Sequence, residues 1–260
     1  MPAPAAKPGS LGWLILICRI AAMVALLLWC VPFYYLWRLL GLRRFWPRVF
    51  LAGIGRIAGL RMAVTGRPRH NALYIANHVS WLDIPAIAGA SGSAFVAHDG
   101  LAANPFLRQL CEMNDTVFIA RHRRETVAQQ VAEIRQALDD TGALTLFPEG
   151  TTGDGVSLLP FKSALLSAIE PIPPGVSVQP VLLAYDEAPA IAWLGDEPGL
   201  ANFIRLVGRW WPIGLTVHFL EPLAQEALAS RKTMAAAAQT AIEREMMAWR
   251  SPLQFPPEMP

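Results

Sequence analysis

The chain has 260 residues, 53% of them hydrophobic and 16% charged, against about 45 to 50% apolar and roughly 25% charged in soluble domains. This excludes intrinsic disorder and predicts a membrane contact. A formal charge of +2 is too small for a nucleic-acid binder, and no nucleic-acid partner is expected. The charge is unevenly placed: Lys7, Arg19, Arg38, Arg43, Arg44, Arg48, Arg56, Arg61, Arg67 and Arg69 all precede the first acidic residue, Asp83. A basic, apolar front end suits an anionic membrane surface. The three cysteines, two of them (Cys18 and Cys30) in the apolar N-terminal run, lack the spacing of a zinc site or a disulfide framework and are expected to be reduced packing residues.

Ile20 to Trp37 carries no charge and comes close to the roughly 20 residues that cross a hydrocarbon core. Arginines come after this run and only Lys7 precedes it, the reverse of a cleaved signal peptide, so the segment is expected to be a retained anchor with the rest of the chain in the cytoplasm. Arg19 and Pro32 leave two forms open, a full span or a pair of helices dipping into one leaflet. Phe45 to Val64 spaces Arg44, Arg48 and Arg56 against Val49, Phe50, Ile54, Ile57 and Leu60. That fits a helix lying in the interface, with Trp46 at headgroup depth; the competing reading is one transmembrane helix followed by a soluble amphipathic helix packed on the domain.

From Asn71 onward short apolar runs alternate with amphipathic stretches, the pattern of an α/β domain with a mostly parallel sheet flanked by helices. Strands are expected at Ala72 to Ala76, Ala94 to Ala97, Thr116 to Ala120, Ala143 to Phe147, Val176 to Ala184 and Leu215 to Leu220. Helices are expected at Glu125 to Leu138, where Val127, Val131, Ile134 and Leu138 form a stripe, and at about Ala224 to Trp249. The chain divides into three regions: residues 1–70 as membrane anchor and basic helix, 71–250 as catalytic domain, and 251–260 as a loose Pro-rich tail.

Three loops could carry chemistry. In Asn77-His78-Val79-Ser80-Trp81-Leu82-Asp83, His78 and Asp83 would stand about 140° apart on one ideal helix, so they meet only if His78 lies in the turn before it. Pro85, tolerated only in a first helical turn, starts the helix near Asp83. The pair would then be a general base and its orienter. The alternative is a helix-capping Asp83 and a hydrogen-bonded loop histidine. Phe147-Pro148-Glu149-Gly150-Thr151-Thr152-Gly153-Asp154-Gly155 leaves backbone amides open to an anion, and Lys162 supplies a cation at the start of an apolar helix. Arg121-His122-Arg123-Arg124 ends a strand with guanidinium groups suited to phosphate or carboxylate. There is no Gly-x-Ser-x-Gly, His-Glu-x-x-His or Walker motif, and no metal or cofactor is required.

Asn77 to Asp83 resembles the His-x4-Asp signature of the glycerolipid acyltransferases, the family of 1-acylglycerol-3-phosphate acyltransferases. Phe118-Ile119-Ala120-Arg121, Phe147-Pro148-Glu149-Gly150-Thr151 and Val178-Gln179-Pro180-Val181 resemble that family's second, third and fourth motifs, in the family's order. The resemblance implies that His78 removes the acceptor hydroxyl proton and Asp83 orients it. Arg121, Glu149, Gly150 and Thr151 would hold the acceptor headgroup, helped by Lys162, and Pro180 would shape the acyl side.

The partners implied are an acyl carrier protein or coenzyme A thioester, a lysophospholipid acceptor and membrane lipid, at the cytoplasmic face of the cell (inner) membrane. Lysophosphatidate is the first acceptor implied. The family's third motif usually continues with arginine where this chain has Thr152, and threonine cannot replace a bidentate phosphate ligand. Arg123, Arg124 or Lys162 could compensate, and a lyso-ornithine lipid is the alternative acceptor. A thioesterase using the same base on water, and a lipid-binding scaffold without catalysis, are the rival classes.

Overall fold

The computed structural model describes residues 9–42, 44–98, 105–114, 116–119, 127–195 and 197–250. Its centre is a seven-stranded sheet of β1 (Leu60–Gly66), β2 (Ala72–Ala76), β3 (Ala94–His98), β4 (Val117–Ile119), β5 (Ala143–Leu146), β6 (Ser177–Tyr185) and β7 (Ile213–Phe219) in the order β1-β7-β6-β2-β5-β3-β4. Every neighbouring pair is parallel except β6 with β7. Parallel strands need crossovers, and the helices that supply them cover both faces, which explains why β2 is apolar and buried at all five positions.

On one face Tyr74 and Ala76 pack with Ala86 and Ile87 of α3 (Asp83–Ser91) and with Leu206 of α7 (Gly199–Val207). On the other, Leu73 and Ile75 pack with Ile134 and Leu138 of α5 (Val127–Thr141) and with Met234, Ala238 and Ile242 of α8 (Arg231–Arg250). α4 (Pro105–Met113) and the short α6 (Ala188–Ile191) complete the set.

α1 (Ser10–Leu39) is one continuous helix of 30 residues, apolar and long enough to cross a membrane by length and composition. It packs along α2 (Phe45–Ala58) and the domain through buried Leu16, Cys30 and Tyr34, and leaves Leu11, Leu14, Ile17, Val24 and Leu28 exposed. The Arg19 guanidinium donates to the carbonyls of Val207 and Arg209 at 3.1 and 2.7 Å. A charge inside the apolar helix therefore faces protein rather than lipid.

Two expected elements are corrected. The interfacial helix expected to run to Val64 stops at Ala58, because Gly59 closes it in the left-handed conformation (φ 97°). Leu60 to Gly66 is instead the edge strand β1, so the sheet begins ahead of residue 71. All of its positions after Leu60 are exposed, which is why no alternation betrayed it. The last helix, expected from Ala224, begins as a 3-10 turn over Gln225–Ala229. α8 starts only after Ser230, whose hydroxyl accepts the Thr233 amide while Thr233 Oγ1 accepts the Ser230 amide.

Candidate active site

His78 follows β2 and Glu149 follows β5. The two strands are adjacent and parallel with Ile75 level with Leu146, so their loops emerge side by side at the C-terminal edge of the sheet, where open α/β sheets place their sites. Asn77 sets the first loop: its side-chain amide donates to the Leu183 carbonyl at 3.1 Å and accepts the Leu183 N–H at 2.7 Å. A side chain thereby continues the ladder one step past β2 and frees the backbone to turn.

Asp83 is the first residue of α3 and is fully buried. Its carboxylate does not cap the helix but points back into the turn. Oδ2 accepts the His78 Nδ1–H at 2.8 Å and the amides of Val79 and Ser80 at 2.7 and 3.0 Å, and Oδ1 accepts the Tyr185 hydroxyl at 2.6 Å. Burial, with Asp83 alongside, pushes the Tyr185 phenol well above its ordinary range, so it remains a donor. With Nδ1–H engaged, the imidazole is in the tautomer whose lone pair lies on Nε2, the form that accepts a proton. Phe147 stacks on the ring at 4.2 Å and 19°, and Phe95 lies behind Phe147 at 6.2 Å.

Glu149 is buried, and its Oε1 accepts the His78 amide at 3.0 Å. Desolvation raises its carboxyl to about 7, against the pull of the His78 and Leu159 amides. Gly153 N–H donates to the His78 carbonyl at 2.7 Å, so the two loops are joined on both sides of His78. Gly150 adopts a left-handed φ of 69°, and a Cβ there would lie 2.9 Å from Leu165 Cδ1 and 3.3 Å from Lys162 Nζ. Lys162 lies over the loop, its exposed ammonium close to Gly150, but it precedes a 3-10 helix (Leu165–Ile169) rather than opening an apolar α-helix.

Thr151 is exposed beside Gly150. Thr152 turns away, its hydroxyl donating to the Trp193 carbonyl, while Trp193 N–H donates to the Val79 carbonyl at 3.0 Å. Asp154 is taken up by its own turn, accepting the amides of Val156 and Ser157 at 2.7 and 2.8 Å.

His78, Asp83, Glu149, Gly150, Thr151 and Lys162 thus converge. Pro180 does not: it is buried within β6 level with Ile75, three positions before Leu183, about 10 Å down the strand from the Asn77 bridge. Arg121, Arg123 and Arg124 lie outside the described residues. Tyr185 is the site residue that sequence reasoning missed, and Asn77 and Phe147 stood in the candidate loops without a role of their own. An apolar cavity of about 160 Å³ between α1, α2 and the domain is lined by Leu27, Tyr34, Phe50, Ile84, Phe95 and Leu110, among others. Phe95 connects it, through Phe147, to His78.

An acyltransferase family model matches residues 61–184, from β1 to the end of β6. The chain is 34% identical over 235 residues to a lyso-ornithine lipid O-acyltransferase of Brucella abortus, covering 83% of this chain and 88% of that one. It is also 34% identical over 142 residues to a 1-acyl-sn-glycerol-3-phosphate acyltransferase of Neisseria gonorrhoeae, covering 53% and 55%. Among solved structures, the 1-acyl-sn-glycerophosphate acyltransferase of Thermotoga maritima shares the fold, with a TM-score of 0.68 at 18% identity over 93% of this chain and 95% of that chain.

Proposed function

Since this chain belongs to the acyltransferase family and acts on lysolipids, we propose that it moves a fatty acyl group from an acyl carrier protein or coenzyme A thioester to the free hydroxyl of a lyso-ornithine lipid. The observation that carries this choice is Thr152. The lysophosphatidate motif usually has arginine there, and this side chain is spent on the Trp193 carbonyl, leaving no bidentate phosphate ligand at the position. The similarity to the Brucella abortus enzyme over most of both chains supports it. Lysophosphatidate is the second reading, favoured by the Neisseria gonorrhoeae relative.

His78 is the general base. Nε2 takes the acceptor hydroxyl proton as the oxygen bonds to the thioester carbonyl carbon. The carbon–sulfur bond then breaks, and the imidazolium returns the proton to the departing thiolate. Asp83 holds the ring and stabilises its charged form. Glu149, Gly150, Thr151 and Lys162 face the acceptor headgroup, and the family's second motif assigns Arg121 the same headgroup role. The apolar cavity receives acyl chain, with Phe95 and Phe147 as the wall between it and the base.

α1 sits in one leaflet of the cell membrane, with the domain on the cytoplasmic face. Its protein-facing stripe runs from Leu16 to Tyr34, roughly 27 Å of its length, which leaves too little free helix to span a core of about 30 Å. The cationic first third favours the cytoplasmic side.

The acceptor is tested with purified protein in mixed micelles, one labelled acyl thioester, and lyso-ornithine lipid or lysophosphatidate in parallel. A kcat/KM at least about tenfold higher for lyso-ornithine lipid is expected, a difference of about 1.4 kcal/mol in transition-state binding. The reverse ratio would replace it by the second reading.

A further inference from the structure

Trp210 and Trp211 form a tilted pair, ring centroids 4.2 Å apart, on the turn between α7 and β7, and both are more than half exposed. Two indoles in water have no role in the core below them, and an exposed aromatic pair of this size marks a contact surface. Its surroundings say with what. The carbonyl of Arg209, the residue before the pair, accepts a hydrogen bond from Arg19 of α1 at 2.7 Å. Ile213, two residues beyond Trp211, donates its amide to the Gly59 carbonyl at the end of α2 at 2.9 Å. The pair is therefore continuous with the two N-terminal helices whose apolar side chains are exposed.

Arg56 in the last turn of α2 and Arg61 at the start of β1 are exposed on either side of Gly59. Exposed indole rings and exposed guanidinium groups on one edge of the fold are the side-chain set that partitions into the headgroup layer of an anionic bilayer. The other end of α2 carries a second aromatic and basic set: Trp37 packs on the exposed Phe45 at 4.7 Å, and Arg48 is exposed one turn on. The two clusters are separated by α2, 14 residues or about 20 Å. That is shorter than a hydrocarbon core of about 30 Å, so two headgroup anchors at this spacing fit one leaflet.

We infer that the Trp210–Trp211 turn is a second membrane anchor, entering the headgroup layer of the leaflet that holds α1 and α2 and fixing the tilt of the sheet above it. The inference rests on the one-leaflet seat proposed for α1. Arg19 is the tie that makes the two anchors one rigid unit.

The test uses the full chain reconstituted with vesicles of phosphatidylcholine and phosphatidylglycerol, comparing wild type with the Trp210→Phe, Trp211→Phe double variant. Because both rings are exposed, this substitution leaves the core untouched, and the difference in emission reports the pair alone. Lipids brominated high on the acyl chain are expected to quench that difference signal, and aqueous iodide is expected to lose its access to it when vesicles are added. A difference signal quenched by iodide equally with and without vesicles, in chain that cosediments with them, overturns the inference and leaves the α1 seat standing. Shielding that appears only on adding acyl carrier protein overturns it in favour of a protein partner. Failure of the chain to cosediment at all overturns both the inference and the α1 seat.

Discussion

Replacing His78 by alanine is expected to lower turnover by about 10² to 10⁴-fold, the usual contribution of a positioned general base, with secondary structure by circular dichroism unchanged. The side chain is one-fifth exposed, so its removal opens the site rather than the core. The backbone bonds that hold the turn, His78 N–H to Glu149 and Gly153 N–H to the His78 carbonyl, do not involve the ring. The loss should therefore fall on turnover, with the Michaelis constant for the lysolipid changed far less. Wild-type turnover in a folded His78→Ala protein would remove the imidazole from the mechanism.

The second large effect is expected at Asp83, where activity and stability fall together. Asp83→Asn keeps the shape but exchanges one acceptor oxygen for a donor NH2 in a pocket of four donors: His78 Nδ1–H, two backbone amides and the Tyr185 hydroxyl. An NH2 in the place of Oδ2 opposes the Val79 and Ser80 N–H groups and forces His78 into the opposite tautomer, with its proton on Nε2 where the base is needed. In the place of Oδ1 it faces the Tyr185 hydroxyl, and His78 loses the negative charge that stabilises its imidazolium. Turnover should drop at least about 100-fold, and unfolding in detergent should show a loss of about 1 to 3 kcal/mol for the unsatisfied buried groups. Tyr185→Phe removes a single donor and should give a milder form of the same stability loss. An Asp83→Asn protein with unchanged stability would show that the carboxylate is not the hub of the turn.

Much of this site was legible because its information is local. Pro85 alone places the start of α3 at Asp83, and from that start the five-residue spacing obliges His78 to sit in the turn. The apolar strands of a parallel sheet announce themselves as short runs, and β2, β3, β5 and β6 lie where those runs predict. What escaped depends on contacts across the chain. Tyr185 reaches Asp83 from 102 residues away, and Asn77 bridges to Leu183 from 106, distances over which no periodicity carries a signal. β1 escaped for a different reason: as an exposed edge strand it obeys no burial alternation, and Gly59 was its one local mark. Pro180, expected to shape the acyl side, sits in a matching motif and is packed inside the sheet level with Ile75.

The His78–Asp83 pair is expected to transfer an acyl group to a lipid hydroxyl and not to water. The most direct measurement is the release of free thiol from an acyl thioester by purified protein in micelles, with and without lysolipid, read beside the mass of acylated lipid formed. Thiol release is expected to need the lysolipid and to match the new acyl lipid one for one, as transfer to the lipid hydroxyl requires. Thiol released at the same rate without acceptor, with free fatty acid as the product, would contradict it and make this chain a hydrolase.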